Sequence, residues 1–134
     1  MQVELTRFRV LPGKTERVNA WMQMLNDHLP AVLLTLNDER MCVEAIFREV
    51  VGADEFLYWF TVQGEGGSSL AQSPHEVDRL HLAFWEECID RSYGGDPNYG
   101  GVDLTLQIVL MPESIQQAML AHAVRPTGTR EESE

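Results

Sequence analysis

The chain has 134 residues, the length of one domain, and 44% of them are hydrophobic, so a folded single domain is expected rather than a disordered chain. Ten Lys and Arg against 21 Asp and Glu leave a formal charge of −11, which repels a phosphate backbone and argues against nucleic acid and anionic membranes as partners. No apolar run nears the ~18 residues of a membrane span, and no basic region followed by an apolar core opens the chain, so a cytoplasmic location is expected.

Gln2 to Leu11 reads as a strand stopped by Pro12-Gly13. Its alternation is imperfect, with Val3 and Leu5 out of step with Phe8 and Val10, which predicts a bulge near Thr6-Arg7 or apolar contacts on both faces. Lys14 to Leu36 reads as helix, because Val18, Trp21, Met22, Leu25, Leu29, Val32, Leu33 and Leu36 keep one helical phase and predict one buried face. Pro30 predicts a kink in it, or two helices sharing that face, and Asn37-Asp38 a stop. Met41 to Val50 and Glu55 to Gln63 read as a hairpin around Val51-Gly52-Ala53-Asp54. Pairing Val50 with Glu55 sets Arg48 opposite Leu57, Ile46 opposite Trp59 and Glu44 opposite Thr61.

A Gly/Ser-rich loop covers Gly64 to Gln72. Ser73, Pro74 and Glu76 then supply a cap, a first-turn proline and a third-position glutamate for a helix to about Ile89, burying Val77, Leu80, Phe84 and Cys88. A second loop, Asp90 to Gly101, precedes the clearest strand, Val102 to Met111, with Val102, Leu104, Leu106, Ile108 and Leu110 on one face. Pro112 opens a short last helix through Ile115 and Met119. Residues 1–123 are expected to form one domain and residues 124–134 a mobile polar tail.

This order is the ferredoxin-like β-α-β-β-α-β arrangement with an extra C-terminal helix, an α+β fold with a four-stranded antiparallel sheet. Both main helices then cover one sheet face. Phe56, Tyr58, Phe60 and Val62 alternate with Leu57 and Trp59, so one strand carries bulky apolar groups on both faces. An uncovered apolar face marks an interface, and a homodimer joined through its sheets is expected.

His81 stands beside the apolar stripe of its helix with Asp78 one turn earlier, where a carboxylate can orient an imidazole for general acid–base chemistry. A structural boundary histidine is the competing reading. Trp59 offers a stacking surface and an N–H donor, and Glu44, Arg48, Thr105 and Gln107 are candidates to position a polar ligand near it. Against that, Glu44 and Arg48 share a strand face and can simply neutralise each other. No metal site is expected, since His75 and His81 lie about 120° apart around the helix and Cys88 about 10 Å from His81 along it. Cys42 and Cys88 read as buried free thiols, and neither a phosphate loop nor any other cofactor motif is present. The chemistry expected is that of a small-molecule binder or cofactor-free enzyme using His81 and Asp78. The alternative is a non-enzymatic interaction module, and haem held by His81 is a third reading. A cavity shared by His81 and Trp59 favours the first, solid packing the second.

Leu5-Thr6-Arg7-Phe8-Arg9-Val10 with Pro12-Gly13-Lys14, Ala31 to Leu36, Ile46-Phe47-Arg48-Glu49, Tyr58-Trp59, Val62 to Gly67, His81-Leu82, Trp85 and Glu87 to Asp90 resemble a family of short bacterial proteins of unknown function. The resemblance covers roughly residues 3–119 and implies no activity. In strand and helix order, and in Pro12-Gly13-Lys14, the chain is also similar to the dimeric α+β barrel superfamily. That superfamily includes cofactor-free monooxygenases, haem-degrading enzymes and sugar mutarotases, and the likeness is one of fold.

Overall fold

The computed structural model describes residues 1–70 and 73–123. The tail expected over 124–134 lies outside the described residues. In chain order the elements are β1 (Gln2–Arg9), α1 (Thr15–Asp27), α2 (Leu29–Asp38), β2 (Met41–Val51), β3 (Asp54–Gln63), α3 (Glu76–Cys88), β4 (Gly101–Asp103) and α4 (Glu113–Ala123). The strands form one sheet in the order β2-β3-β1-β4, and every pair is antiparallel. This is the ferredoxin-like α+β arrangement, with α2 and α4 added.

The hairpin register is the one expected, with Val50 opposite Glu55, Arg48 opposite Leu57, Ile46 opposite Trp59 and Glu44 opposite Thr61. Its strands run closer to the turn than expected, leaving Gly52 and Ala53 between them, with Gly52 at φ 61° as a tight hairpin turn requires. The bulge expected at Thr6-Arg7 is absent, and β1 pairs with β3 without interruption from Gln2 to Arg9. The irregularity lies instead between Met41 and Val43 of β2.

Val18 and Trp21 of α1, Leu57 of β3, Phe8 and Val10 at the end of β1, and Cys88 and Ile89 at the end of α3 form the core. Complete burial of a residue such as Leu57 or Val18 contributes roughly 1.5–3 kcal/mol. Pro30 falls in the first turn of α2, where a proline lacks no needed donor, so the chain makes two helices rather than one kinked helix. Their shared apolar phase is not one buried face, because Leu29 and Leu33 are exposed and only Thr35 of α2 is buried. Leu80 of α3 is likewise exposed, while Asp78 is buried in its place. Both cysteines are free thiols, but only Cys88 is fully buried.

The largest departure is β4. Only Gly101–Asp103 pairs with β1, and after the bond from Leu104 N–H to the Leu5 carbonyl (2.8 Å) the segment to Met111 leaves the sheet. Leu104, Leu106, Ile108 and Leu110 are all exposed, Leu110 by 83%. The alternation that reads as a strand is present, but past Leu104 no strand among the described residues pairs with it.

Candidate active site

α1 and α3 lie side by side over the sheet, and their packing brings Trp21 against His81. The Trp21 indole N–H donates to His81 Nδ1 at 2.8 Å. Nδ1 must therefore be an acceptor, which places the imidazole proton on Nε2. Trp59, from β3 below, completes a cluster of three rings with centroids 5.5 to 5.7 Å apart. Phe84 stacks on Trp21 and Phe8 meets Trp59 edge-on.

Beside this cluster is an open cavity of about 570 Å³ between the sheet, α2, α3 and the loop after β3. Trp59 and His81 both line it. Leu29, Val32, Leu33 and Leu36 form its apolar wall, which explains why α2 leaves Leu29 and Leu33 exposed. At one end, Trp85, Tyr99, Phe8 and Thr6 close it, with the Tyr99 hydroxyl held by Asp103 (2.5 Å) and Thr6 (2.8 Å). Burial and the bond to Asp103 push the Tyr99 phenol up to about 12.

Carboxylates also face the cavity, from Glu39, Glu44 and Asp78, with Glu4 at its edge. Among the described residues no Lys or Arg lines it. Glu44 Oε2 accepts the Trp59 indole N–H at 2.6 Å, yet burial still raises its carboxyl above the ordinary range, helped by Asp78. Glu39 is driven to about 8 by burial and by the charges of Glu44, Asp78 and Asp38. The cap over Glu39 is the segment after β3. Ser68 N–H donates to the Asp38 carbonyl at 2.8 Å, and a Cβ on Gly67 would sit 2.3 Å from the Glu39 carbonyl oxygen. Only glycine permits that approach.

Asp78 is 6% exposed, and its Oδ2 has no hydrogen-bond partner among the described residues. It does not orient His81. That position is taken by Trp21, and burial lowers the His81 imidazole to about 4 against a smaller opposing pull from Asp78. The imidazole is therefore neutral at pH 7 and less basic than a free histidine.

Arg48, expected near Trp59, is outside the cavity wall. It pairs with Glu55 and bonds Asn19 Oδ1 (2.5 Å) and the Thr15 carbonyl (3.0 Å), tying the hairpin to the start of α1. It does not neutralise Glu44. Gln107 and Thr105 are exposed on the unpaired segment after β4, also away from the cavity. His75 bonds Asp38 Oδ2 at 2.9 Å, and among the described residues no group of His, Cys, Asp or Glu could hold a metal ion.

Two residues of this cleft have no signal in local sequence. Trp21 reads as one more residue of an apolar stripe, and its N–H acquires a role only when α1 meets α3. Glu39, following the Asn37-Asp38 stop, reads as a solvated turn charge, but it is half-buried in the cavity wall, with the returning loop packed against its backbone at Gly67.

The strand order and the two helices over one face define a ferredoxin-like α+β domain with a cleft between sheet and helices. A model described as "Family of unknown function (DUF6176)" matches residues 1–117, and the chain belongs to that family. Among solved structures it is similar to the L-rhamnose mutarotase from Formosa agariphila, at 16% identity and a TM-score of 0.46, over 84% of this chain and 100% of that one. No curated protein matches the chain. Among the described residues no helix is long and apolar enough to cross a membrane.

Proposed function

We propose that this cleft binds a small organic molecule, against Trp59 and within reach of His81 Nε2–H. The carrying observation is the cavity that His81 and Trp59 share, where an interaction module would be solidly packed. In this reading His81 is a neutral hydrogen-bond donor. Proton transfer, if the protein is a cofactor-free enzyme, falls to Glu39, because a carboxyl titrating near neutrality is matched to that task. Asp78 and Glu44 supply charge and orientation beside it. Haem on His81 is a poor match, since its propionates would enter a cleft with carboxylates and no Lys or Arg in its wall.

A thermal-shift screen of metabolites, with Trp fluorescence as second readout, tests this reading. Ligands that raise the melting temperature of the parent should lose their effect in His81→Leu. Ligands that act equally on both proteins would place binding elsewhere.

We further propose that the working form is a cytoplasmic homodimer. Val3, Leu5, Val43, Ala45, Phe47 and Phe60 lie on the sheet face turned away from α1 and α3, with Phe47 61% exposed. After Leu104 the alternating chain to Met111 is exposed and pairs with no strand among the described residues, so it offers free backbone edges to a second copy. One isologous contact would cover both. Light scattering should report twice the 15.2 kDa chain mass, reduced to one by Ile108→Asp. A monomeric parent at micromolar concentration would refute the homodimer.

A further inference from the structure

The cleft is acidic and without a counter-charge, and we infer that its ligand is an organic cation, a primary or substituted ammonium carried on an apolar body. The inference rests on the cleft being a binding site. The one-sided charge of the cavity wall carries it. Asp78, 6% exposed, lines the cavity, and its Oδ2, closed even to water, has no partner among the described residues. A carboxyl buried without a cation beside it costs stability when ionised, and a cation in the adjoining cavity offsets that cost through space.

Glu44 and Glu39 join Asp78 in the same cavity wall from β2 and the end of α2, so three elements converge their carboxyls on one space. The nearest Arg in sequence, Arg40, turns away and donates to the Glu65 carbonyl at 2.8 Å. Anions are excluded by the like charges. A neutral polyol would satisfy hydrogen bonds but leave the charges uncompensated. An ammonium group answers both needs, and Trp59 and the wall of Leu29, Val32 and Leu33 suit an aromatic or aliphatic body, with the indole face attractive to a cation.

The charges also make binding proton-linked. Glu39 is faced by Glu44 of β2, Asp78 of α3 and Asp38 of its own helix. His81, Glu4 and Tyr99 are the other titratable groups in the wall. An arriving cation favours the ionised carboxylate, so Glu39 loses its proton on binding. Affinity for an amine should therefore rise from pH 6.5 to 8.5, below the region near ~10 where an alkylamine loses its own charge.

Three isosteres of differing charge test the inference, namely phenethylammonium, 2-phenylethanol and phenylacetate, titrated against the full chain by Trp fluorescence and calorimetry. The expected result is that the amine binds at least about tenfold tighter than the alcohol, and phenylacetate not at all. Asp78→Asn and Glu44→Gln should each weaken the amine about tenfold while leaving the alcohol unchanged. Equal or tighter binding of the alcohol would overturn the cation and leave the cleft as a site for neutral ligands. Preference for phenylacetate, or amine binding indifferent to both variants, would overturn it too. Failure of all three probes also overturns it, while the metabolite screen separately decides whether the cleft binds anything.

Discussion

Asp78 and Asp90 are both buried aspartates, one in the first turn of α3 and one just past its end, 6% and 9% exposed, and the fold treats them in opposite ways. Asp90 accepts from Arg9 Nη2 at 2.7 Å and from the Ser92 hydroxyl and N–H at 2.6 and 3.1 Å, anchoring the loop that follows α3 to β1. Those bonds, from Ser92 first and then Arg9, hold its carboxyl below the ordinary range. Asp78 has no such partners among the described residues, and its neighbours in the cavity wall, Glu39 and Glu44, are acidic too. Where a carboxylate serves the fold, the chain supplies its donors. Where donors are missing from so buried a carboxyl, a cation in the adjoining cavity supplies the compensating charge.

Asp90→Ala should destabilise the protein by about 1–3 kcal/mol, with several degrees lost from the melting temperature for each kcal/mol. A depressed folded pKa contributes stability above the unfolded carboxylate value of ~3.9 and loses it as pH falls through the folded value. The variant should therefore lack part of the parent's acid-induced loss of stability, as urea titrations at pH 3 and pH 6 would read. An unchanged melting temperature would mean that Asp90 is no better satisfied than Asp78.

His81→Leu comes next, because it strands the Trp21 N–H in the wall between α1 and α3, at about 1–3 kcal/mol. With the folded imidazole near 4 and the unfolded one near 6.5, the unfolded chain takes up the proton first. Stability from neutral His81 is complete above about 6.5 and is lost as pH falls toward 4. A histidine NMR titration should find one imidazole still neutral at pH 5. All imidazoles titrating between 6 and 7 would contradict a desolvated His81.

Asp78→Asn has the smallest effect and the opposite sign to Asp90→Ala. Replacing a buried carboxyl that has no cation beside it among the described residues with a neutral amide should raise the melting temperature at pH 7, by about 1 kcal/mol or less of added stability. A fall would show that Asp78 has a partner in the folded protein and is not held for a ligand.

Much of this arrangement is legible in the amino-acid sequence. The hairpin register followed from Gly52 and the alternation of β3, since turn length and side-chain period together leave little freedom. Local pattern misled where tertiary context ruled. Val102 to Leu110 alternates as a strand should, but pairing needs a neighbour, and within one chain only Gly101–Asp103 finds β1. The apolar phase of α2 reads as core, while Leu29 and Leu33 face the cavity. In the site, Trp59, Glu44, His81 and Asp78 do share one cleft. Arg48 reaches Glu55 and α1 instead, because an arginine with a carboxylate across the hairpin has a nearer partner than the ligand space. Trp21 and Glu39 emerge only from long-range contacts, to His81 and Gly67, that no local window contains.

The most direct test of an acidic, desolvated cleft is the titration of Glu39 by carboxyl-carbon NMR in the ligand-free protein. Glu39 should titrate near 8, against 4.5 for an ordinary glutamate, and its contribution to stability should fall as pH rises between those values. Added phenethylammonium should draw the midpoint down. A midpoint near 4.5 in the free protein would mean that water already solvates the carboxylates, and it would contradict the account.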